Sequence, residues 1–104
     1  MASSNGEQTI SIDVYYARVC GLCTKALEFF RSRGATFTAH AVEWDADHDA
    51  FADSPAAREM HRRCGETVDF VPQIFIGNRH IKGWRTLEPM IASGEIDRLV
   101  PNPE

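Results

Sequence analysis

The feature that most constrains this chain is a pair of cysteines, Cys20 and Cys23, at the junction of a predicted strand and a predicted helix. Residues 9–16 alternate between apolar and polar side chains, which is the period of a strand. Beyond the pair, apolar residues recur at the i, i+3, i+4 and i+7 spacing of a helix. These residues are Cys23, Ala26, Leu27 and Phe30. The sequence therefore predicts that Cys20 lies at the N-terminus of a helix that directly follows a strand.

The rest of the chain carries further strand and helix signals. A strand is predicted at residues 36–44, followed by an acidic loop or short turn at 45–53 and by a helix that begins at Ser54 and Pro55 and ends at Gly65. Two strands, at 71–76 and 79–81, flank a Gly77-Asn78 turn. A last helix is capped by Thr86 and ends at Gly94, and a final apolar turn follows at 96–100. The order β-α-β-α-β-β-α predicts an α/β fold. We expect a four-stranded mixed sheet flanked by three or more helices.

Length and charge limit the protein's partners and compartment. A chain of 104 residues forms one domain. We expect that domain to span residues 9–100, with a flexible tail at residues 1–8 and a C-terminal tail at 101–104. The sequence has no secretory signal and no run of about 20 apolar residues, and its net charge is −4. We therefore expect a cytoplasmic monomer that binds neither membranes nor nucleic acid.

The cysteines point to redox or metal chemistry. The chain has three cysteines, and an odd number is unlike the paired set of a secreted disulfide framework. The free N–H groups at a helix N-terminus stabilise a thiolate, and Arg18 and Lys25 add positive charge nearby. We therefore expect Cys20 to ionise readily and to attack a substrate disulfide. Cys23 faces the core, so it should keep a higher pKa and attack the resulting mixed disulfide.

Metal binding is the alternative for the same cysteines. His61 and Cys64 would complete a four-ligand zinc set with Cys20 and Cys23, but Cys64 is already explained as a small apolar residue on a helix face. The acidic residues at 45–53 imitate the start of a calcium loop, but the glycine and glutamate that such a loop needs are both alanine here. We interpret that stretch as a solvated acidic loop.

A proline directly before the third sheet strand gives a second signal for redox chemistry. Val71-Pro72 precedes the apolar run Gln73 to Ile76. A cis peptide at this point would turn the backbone groups of Val71 outward, where an extended thiol substrate can pair with them. The alternative is a trans proline that merely begins the strand.

Taken together and in order, these motifs resemble the glutaredoxins of the thioredoxin fold. The resemblance runs from about Ile10 to Val100. It implies a thioredoxin-like fold and a dithiol-disulfide oxidoreductase, with Cys20 as nucleophile, Cys23 as resolving thiol, a cis Pro72 facing them and Val71 binding the thiol partner through its backbone. Its substrates would be protein disulfides or glutathione mixed disulfides. No resident cofactor is required, and glutathione is a possible co-substrate.

The residues between the cysteines depart from the family pattern. The usual Pro-Tyr pair is Gly21-Leu22 here, which removes a rigid proline and an aromatic contact from the substrate side. Family members with glycine or serine at the first of these positions tend to hold a 2Fe–2S cluster between two subunits, with glutathione completing the ligands. The resemblance therefore leaves an alternative function, a cluster-binding dimer that acts as carrier or sensor.

The predicted glutathione-binding residues depart further. The basic residue three positions before the nucleophile is Ala17, and only Arg18 can replace it. The family's Gly-Gly-x-Ser/Thr/Asp-Asp appears as Lys82-Gly83-Trp84-Arg85-Thr86, so the carboxylate that meets glutathione's ammonium has become Thr86. Gly83-Trp84-Arg85 instead resembles the glutaredoxin-like electron donors of ribonucleotide reductase. Those proteins take electrons from thioredoxin reductase, so the reductant is either glutathione or that enzyme. Trp84 is equally explained as a core aromatic.

Overall fold

A four-stranded sheet organises the structure, a computed structural model that describes residues 11–100. In chain order its elements are β1 (Ile12–Ala17), α1 (Gly21–Ser32), β2 (Thr38–Val42), β3 (Trp44–Asp45), β4 (Ala50–Phe51), α2 (Pro55–Cys64), β5 (Gln73–Ile76), β6 (Arg79–Lys82), α3 (Trp84–Ser93) and α4 (Ile96–Leu99). The predicted order is confirmed, α4 corresponds to the predicted final apolar turn at 96–100, and β3 and β4 are additions. The predicted tails and the first two residues of the predicted strand lie outside the described residues.

The sheet is mixed, as predicted, and its order is β2-β1-β5-β6. The α1 crossover makes β1 and β2 parallel, whereas β5 runs antiparallel to both β1 and β6. Gly77 and Asn78 form the tight turn between β5 and β6. Because β1 is a central strand, the loop at its C-terminal end, which carries Cys20, opens between β2 and β5.

Both faces of the sheet are buried, each against its own apolar cluster. The larger cluster lies under α1, α3 and α4 and includes Val14, Phe30 and Ile74. The smaller cluster lies under α2 and includes Tyr15 and Met60. Because side chains alternate along a strand, β1 contributes to both clusters, and this double burial fixes its register. None of the helices within residues 11–100 is both long and apolar enough to cross a membrane.

The predicted capping residues are found at the ends of α2 but not at the start of α3. The Ser54 hydroxyl accepts a 3.0 Å hydrogen bond from the Ala57 N–H at the start of α2, and Gly65 ends this helix with a φ of 79°, as predicted. The prediction that Thr86 caps the last helix is wrong. Gly83 is the N-cap of α3, and the N–H of Thr86 already donates to the Gly83 carbonyl at 3.3 Å within the first turn.

The acidic stretch, predicted as a loop or short turn, does contain a turn at residues 46–49, but this turn joins two paired strands in a small antiparallel ribbon, which the sequence did not predict. Trp44 pairs with Phe51 across β3 and β4, and their rings meet edge to face at 5.0 Å. The Asp45 carboxylate closes the turn, because it accepts a 3.0 Å hydrogen bond from the Asp47 N–H and lies 2.7 Å from Nδ1 of His48. Local pairing of this kind leaves no periodic signal in the sequence.

A charged cluster joins β1 and β2 to α2. The Asp13 carboxylate lies 3.0 Å from Nη1 of Arg63 and 2.8 Å from Nε2 of His40. Tyr15 continues the cluster, since its hydroxyl donates to Oε1 of Glu59 at 2.8 Å. Burial disfavours ionisation of Asp13, but the hydrogen bonds from His40 and Arg63 outweigh it and lower the pKa of this carboxyl. The ionised form of Asp13 therefore stabilises the fold.

We expect Asp13→Asn to destabilise the protein by about 1 to 3 kcal/mol near neutral pH, because it removes charge-assisted hydrogen bonds. A depressed folded-state pKa contributes stability above the unfolded-state pKa, and this contribution is lost as pH falls through the folded-state value. The difference between wild type and variant should therefore shrink between about pH 5 and about pH 2. Urea unfolding at about pH 5 and about pH 2 measures the free energy of unfolding of each protein. Glu28→Gln, on the exposed face of α1, is the control for loss of a carboxylate. A difference that is constant with pH would contradict this prediction.

Candidate active site

Cys20 is the N-cap residue of α1. Its backbone is extended, with φ −149° and ψ 107°, and its Sγ accepts a 3.2 Å hydrogen bond from the Cys23 N–H. The sulfur thus occupies the position that a serine or aspartate oxygen usually takes at a helix start. Backbone N–H groups at a helix N-terminus suit an acceptor that carries negative charge.

Cys23 lies one turn further on and faces the core, where it is 1% exposed. Burial, followed by its hydrogen bond with Cys20, raises the pKa of the Cys23 thiol to about 12. The prediction that Cys23 keeps a high pKa is confirmed. Both residues are free thiols, and they are chemically unequal because only Cys20, which is half-buried, reaches the surface.

The Val71-Pro72 loop lies against the cysteine pair. The peptide bond between these two residues is cis, as the resemblance implies, and Pro72 is fully buried. Sγ of Cys20 is 3.8 Å from the carbonyl oxygen of Val71. The chain segment that precedes β5 is therefore adjacent to the exposed sulfur.

A groove of about 350 Å³ extends from this loop toward the start of α3. Its lining brings together five of the predicted substrate-binding residues, which are Leu22, Val71, Gly83, Trp84 and Arg85. We call it the α3 groove. Trp84 is half-buried, lines this groove and also packs against the larger apolar cluster, so its role in substrate binding stays a prediction beside its part in the core.

Two further residues of the α3 groove, Phe70 and Lys82, were not predicted as site residues. Phe70 is 45% exposed. A Cβ on Gly83 would come within 3.3 Å of the Phe70 ring, so the absence of a side chain at Gly83 lets the aromatic ring lie over the backbone. The signal in the sequence was an aromatic residue directly before Val71-Pro72.

The other two predicted binding residues, Arg18 and Thr86, do not line the α3 groove. Arg18 is exposed and faces the opposite side of the Cys20 loop, where it lines a cavity with Val42 and Glu43. Thr86 is exposed within the first turn of α3. Sequence adjacency to Cys20 and to Gly83 was therefore a poor guide to which side chains share the groove.

The zinc alternative is contradicted by where its ligands lie. Within residues 11–100 the structure contains no cluster of three or more histidine, cysteine, aspartate or glutamate side chains suited to a metal ion. Nδ1 of His61 accepts a 3.1 Å hydrogen bond from the Val68 N–H. Cys64 instead contacts β5 and β6, with Sγ 3.7 Å from Oε1 of Gln73 and 3.6 Å from Nε2 of His80. Burial raises the pKa of the Cys64 thiol.

Comparisons with known proteins agree with this arrangement. The Glutaredoxin family model matches residues 12–81. Glutaredoxin 3 of Escherichia coli K12 is 30% identical over 90 residues, which cover 86% of this chain and 96% of that protein. The solution structure of glutaredoxin from Brucella melitensis has a TM-score of 0.61 at 26% identity and covers 92% of this chain and 94% of its own. The buckwheat glutaredoxin-glutathione complex has a TM-score of 0.61 at 21% identity and covers 91% and 83%, respectively. The fold is thus thioredoxin-like, and the chain belongs to the glutaredoxin family.

Proposed function

We propose that this protein is a dithiol-disulfide oxidoreductase that reduces protein disulfides or glutathione mixed disulfides. The observation that carries the proposal is the inequality of its two thiols. The Cys20 sulfur accepts a backbone N–H at the start of α1, whereas Cys23 is buried and its pKa is raised to about 12. The family's role in thiol-disulfide exchange supports the same assignment.

The exchange takes place in two steps. The Cys20 thiolate attacks one sulfur of the substrate disulfide, a Cys20–substrate S–S bond forms, and the other substrate sulfur leaves as a thiolate that takes up a proton. Cys23 then loses its proton and attacks Sγ of Cys20, which forms the Cys20–Cys23 disulfide and releases the second substrate thiol. Two electrons pass from the protein to the substrate. A dithiol or two molecules of glutathione must supply two electrons to restore the reduced pair.

The Val71-Pro72 loop and Leu22 suit the binding of an extended thiol partner. Backbone groups of Val71 can pair with such a segment as an added strand would, and the Val71 carbonyl is already 3.8 Å from the attacking sulfur. Leu22 offers an apolar contact on the α1 side of the same groove. We therefore propose that the reacting cysteine of the partner lies between this loop and the start of α1.

The charge of the α3 groove bears on which thiol partner it accepts. Lys82 and Arg85 line the groove, and none of its described lining residues is a carboxylate. Lys82 also lies 3.7 Å from Glu66, but both side chains are more than half exposed. The groove thus suits an anionic group and offers no counter-ion for an ammonium. We propose that it binds glutathione weakly and that thioredoxin reductase is the more effective reductant.

The test is a coupled assay with bis(2-hydroxyethyl) disulfide as substrate and NADPH consumption as readout. One arm supplies glutathione with its reductase, and the other supplies thioredoxin reductase. We expect turnover in both arms, with a high KM for glutathione. The double variant Arg85→Asp, Thr86→Asp should lower that KM by about tenfold, because one charge-assisted hydrogen bond contributes about 1.5 to 3 kcal/mol.

Arg98→Asp on α4 is the control for this variant, since it makes the same arginine-to-aspartate change outside the α3 groove. Its KM for glutathione should match that of the wild type. An unchanged KM in the double variant would contradict the proposed role of the charges in the α3 groove and in the first turn of α3. Absence of turnover with both reductants would contradict the oxidoreductase function itself.

The alternative, a 2Fe–2S cluster shared by two subunits, has one supporting observation. A Cβ at Gly21 would meet no atom within 4 Å, so the start of α1 is open beside Cys20. Cys20 would be the thiolate ligand from each subunit, because Cys23 is buried. Stoichiometric iron in anaerobically purified dimer would support this alternative, and an active monomer without iron would count against it.

A further inference from the structure

Exposed apolar side chains line two grooves beside the loop that carries the candidate nucleophile. Four large apolar residues are exposed in the part of the chain that the structure describes, namely Val19 at 98%, Leu22 at 38%, Trp44 at 42% and Phe70 at 45%. Val19 and Leu22 flank Cys20 in sequence. Phe70 lines the α3 groove with Leu22, whereas Trp44 lines a second cavity with Val19. An apolar surface that converges on one reactive sulfur indicates a binding site for a partner.

The second cavity lies on the β2 side of Cys20, away from the α3 groove. Its volume is about 470 Å³. Its lining residues are Ala17, Arg18, Val19, Val42, Glu43 and Trp44. We call it the ribbon groove, because the β3–β4 ribbon supplies one of its walls.

The ribbon holds Trp44 in an exposed position. The Trp44 ring rests edge to face on Phe51, and the Ala52 N–H donates a 2.8 Å hydrogen bond to the Glu43 carbonyl, which extends the ribbon pairing toward β2. The main sheet does not include β3 or β4. The indole therefore lies beside Val19 on an element outside the main sheet, which Phe51 attaches to the smaller apolar cluster.

The charges on the two sides of Cys20 are opposite. The α3 groove carries Lys82 and Arg85. On the ribbon, Glu43, Asp47 and Asp49 are exposed, and within residues 11–100 none of the three takes part in an ion pair. The described lining of the ribbon groove has one cation, Arg18, and one anion, Glu43, while Asp47 and Asp49 add negative charge on the ribbon outside that lining. A partner segment on this side is favoured when it is basic.

We propose that the ribbon groove binds the part of a protein substrate next to its reactive cysteine, with an apolar side chain between Val19 and Trp44 and a basic side chain beside Glu43. This inference rests on the proposed oxidoreductase function and names its substrate class. Val19 directly precedes Cys20, and an extended segment advances about 3.3 Å per residue, so a side chain one or two positions from the substrate cysteine reaches the groove. Docking here orients the disulfide before exchange.

The first test uses the wild-type protein and peptides that each carry one cysteine as a mixed disulfide with 2-mercaptoethanol. The peptides differ in the two residues beside the cysteine, which are Leu-Lys, Ser-Lys or Leu-Glu, placed before it in one set and after it in another. In at least one set we expect kcat/KM for Leu-Lys to exceed that for Ser-Lys by about tenfold, as for burial of one apolar side chain. The Leu-Glu peptide should fall below Leu-Lys by about threefold to tenfold.

Variants assign the preference to the ribbon groove. Val19→Ser and Trp44→Ala should each reduce the ratio of Leu-Lys to Ser-Lys toward one. Val19→Ser tests the groove even if Trp44→Ala disturbs the ribbon, because Val19 is almost fully exposed. Glu43→Lys should reverse the preference between Leu-Lys and Leu-Glu, and Glu28→Lys, the charge-matched control on α1, should leave it as in the wild type.

The outcomes separate this inference from the function on which it rests. Equal kcat/KM for all peptides, or ratios that the three variants leave unchanged, would overturn the ribbon groove as a docking site while turnover of bis(2-hydroxyethyl) disulfide continues. Absence of turnover with that small disulfide as well would overturn the oxidoreductase function.

Discussion

Cys20→Ser is expected to lower disulfide exchange with every substrate by more than about a thousandfold, because it removes the only accessible nucleophile of the pair. Serine can keep the N-cap hydrogen bond that Sγ accepts from the Cys23 N–H, so α1 should begin at the same residue. The fold should therefore survive while the chemistry is lost. The measurement is turnover of bis(2-hydroxyethyl) disulfide and of a peptide mixed disulfide, with circular dichroism to verify the fold.

Cys64→Ser is the matched control, since it makes the same sulfur-to-oxygen change at a cysteine that contacts Gln73 and His80 instead of Cys20. This control should retain wild-type turnover. Substantial activity in Cys20→Ser, or an equal loss in Cys64→Ser, would contradict the assignment of the nucleophile.

Cys23→Ser is expected to separate two activities that Cys20→Ser abolishes together. Without the resolving thiol, the first exchange still forms a Cys20–substrate disulfide, but the protein cannot release it internally. Dithiol turnover of protein disulfides should fall by at least about a hundredfold, while release of glutathione from a mixed disulfide, which needs only Cys20 and external glutathione, should persist. Mass spectrometry of the variant after one turnover should detect the trapped mixed disulfide.

Cys20→Ser serves as the control for Cys23→Ser, since both variants replace one thiol of the pair by a hydroxyl. Because Cys23 is buried and serine is of similar size, serine at this position should not change the exposure of Cys20. Equal loss of both activities in the two variants would contradict the division of roles between nucleophile and resolving thiol.

The parts of the fold that the sequence predicts are those encoded by local patterns. Alternation identifies β1, helical spacing identifies α1, and Ser54, Pro55 and Gly65 delimit α2. The ribbon is different, because each of its strands has two residues and its stability comes from the pairing of Trp44 with Phe51. Strands of two residues are too short to show the alternation of apolar and polar side chains by which a strand is recognised in a sequence.

The candidate site divides in the same way. The order of its motifs locates Cys20, Cys23 and Val71-Pro72, since each is a local signature. Which side chains share a groove depends on the tertiary arrangement, in which α3 begins beside the Val71 loop while Arg18 points toward β2. Phe70 belongs to the site because its ring lies close to Gly83. These two residues are separated in the sequence by β5 and β6, so a local pattern does not reveal their proximity.

The independence of the ribbon from the main sheet has an evolutionary consequence. β3 and β4 pair with each other and lie in a sheet of their own, so the ribbon can change in length and composition without altering the register of β1 against its neighbours, as long as an apolar side chain takes the place of Phe51 against the smaller cluster. Under the proposed docking role, selectivity for different protein substrates would diversify by exchange of this one segment. The proposed thiol chemistry, which depends on residues at the end of β1 and the start of α1, would be inherited unchanged.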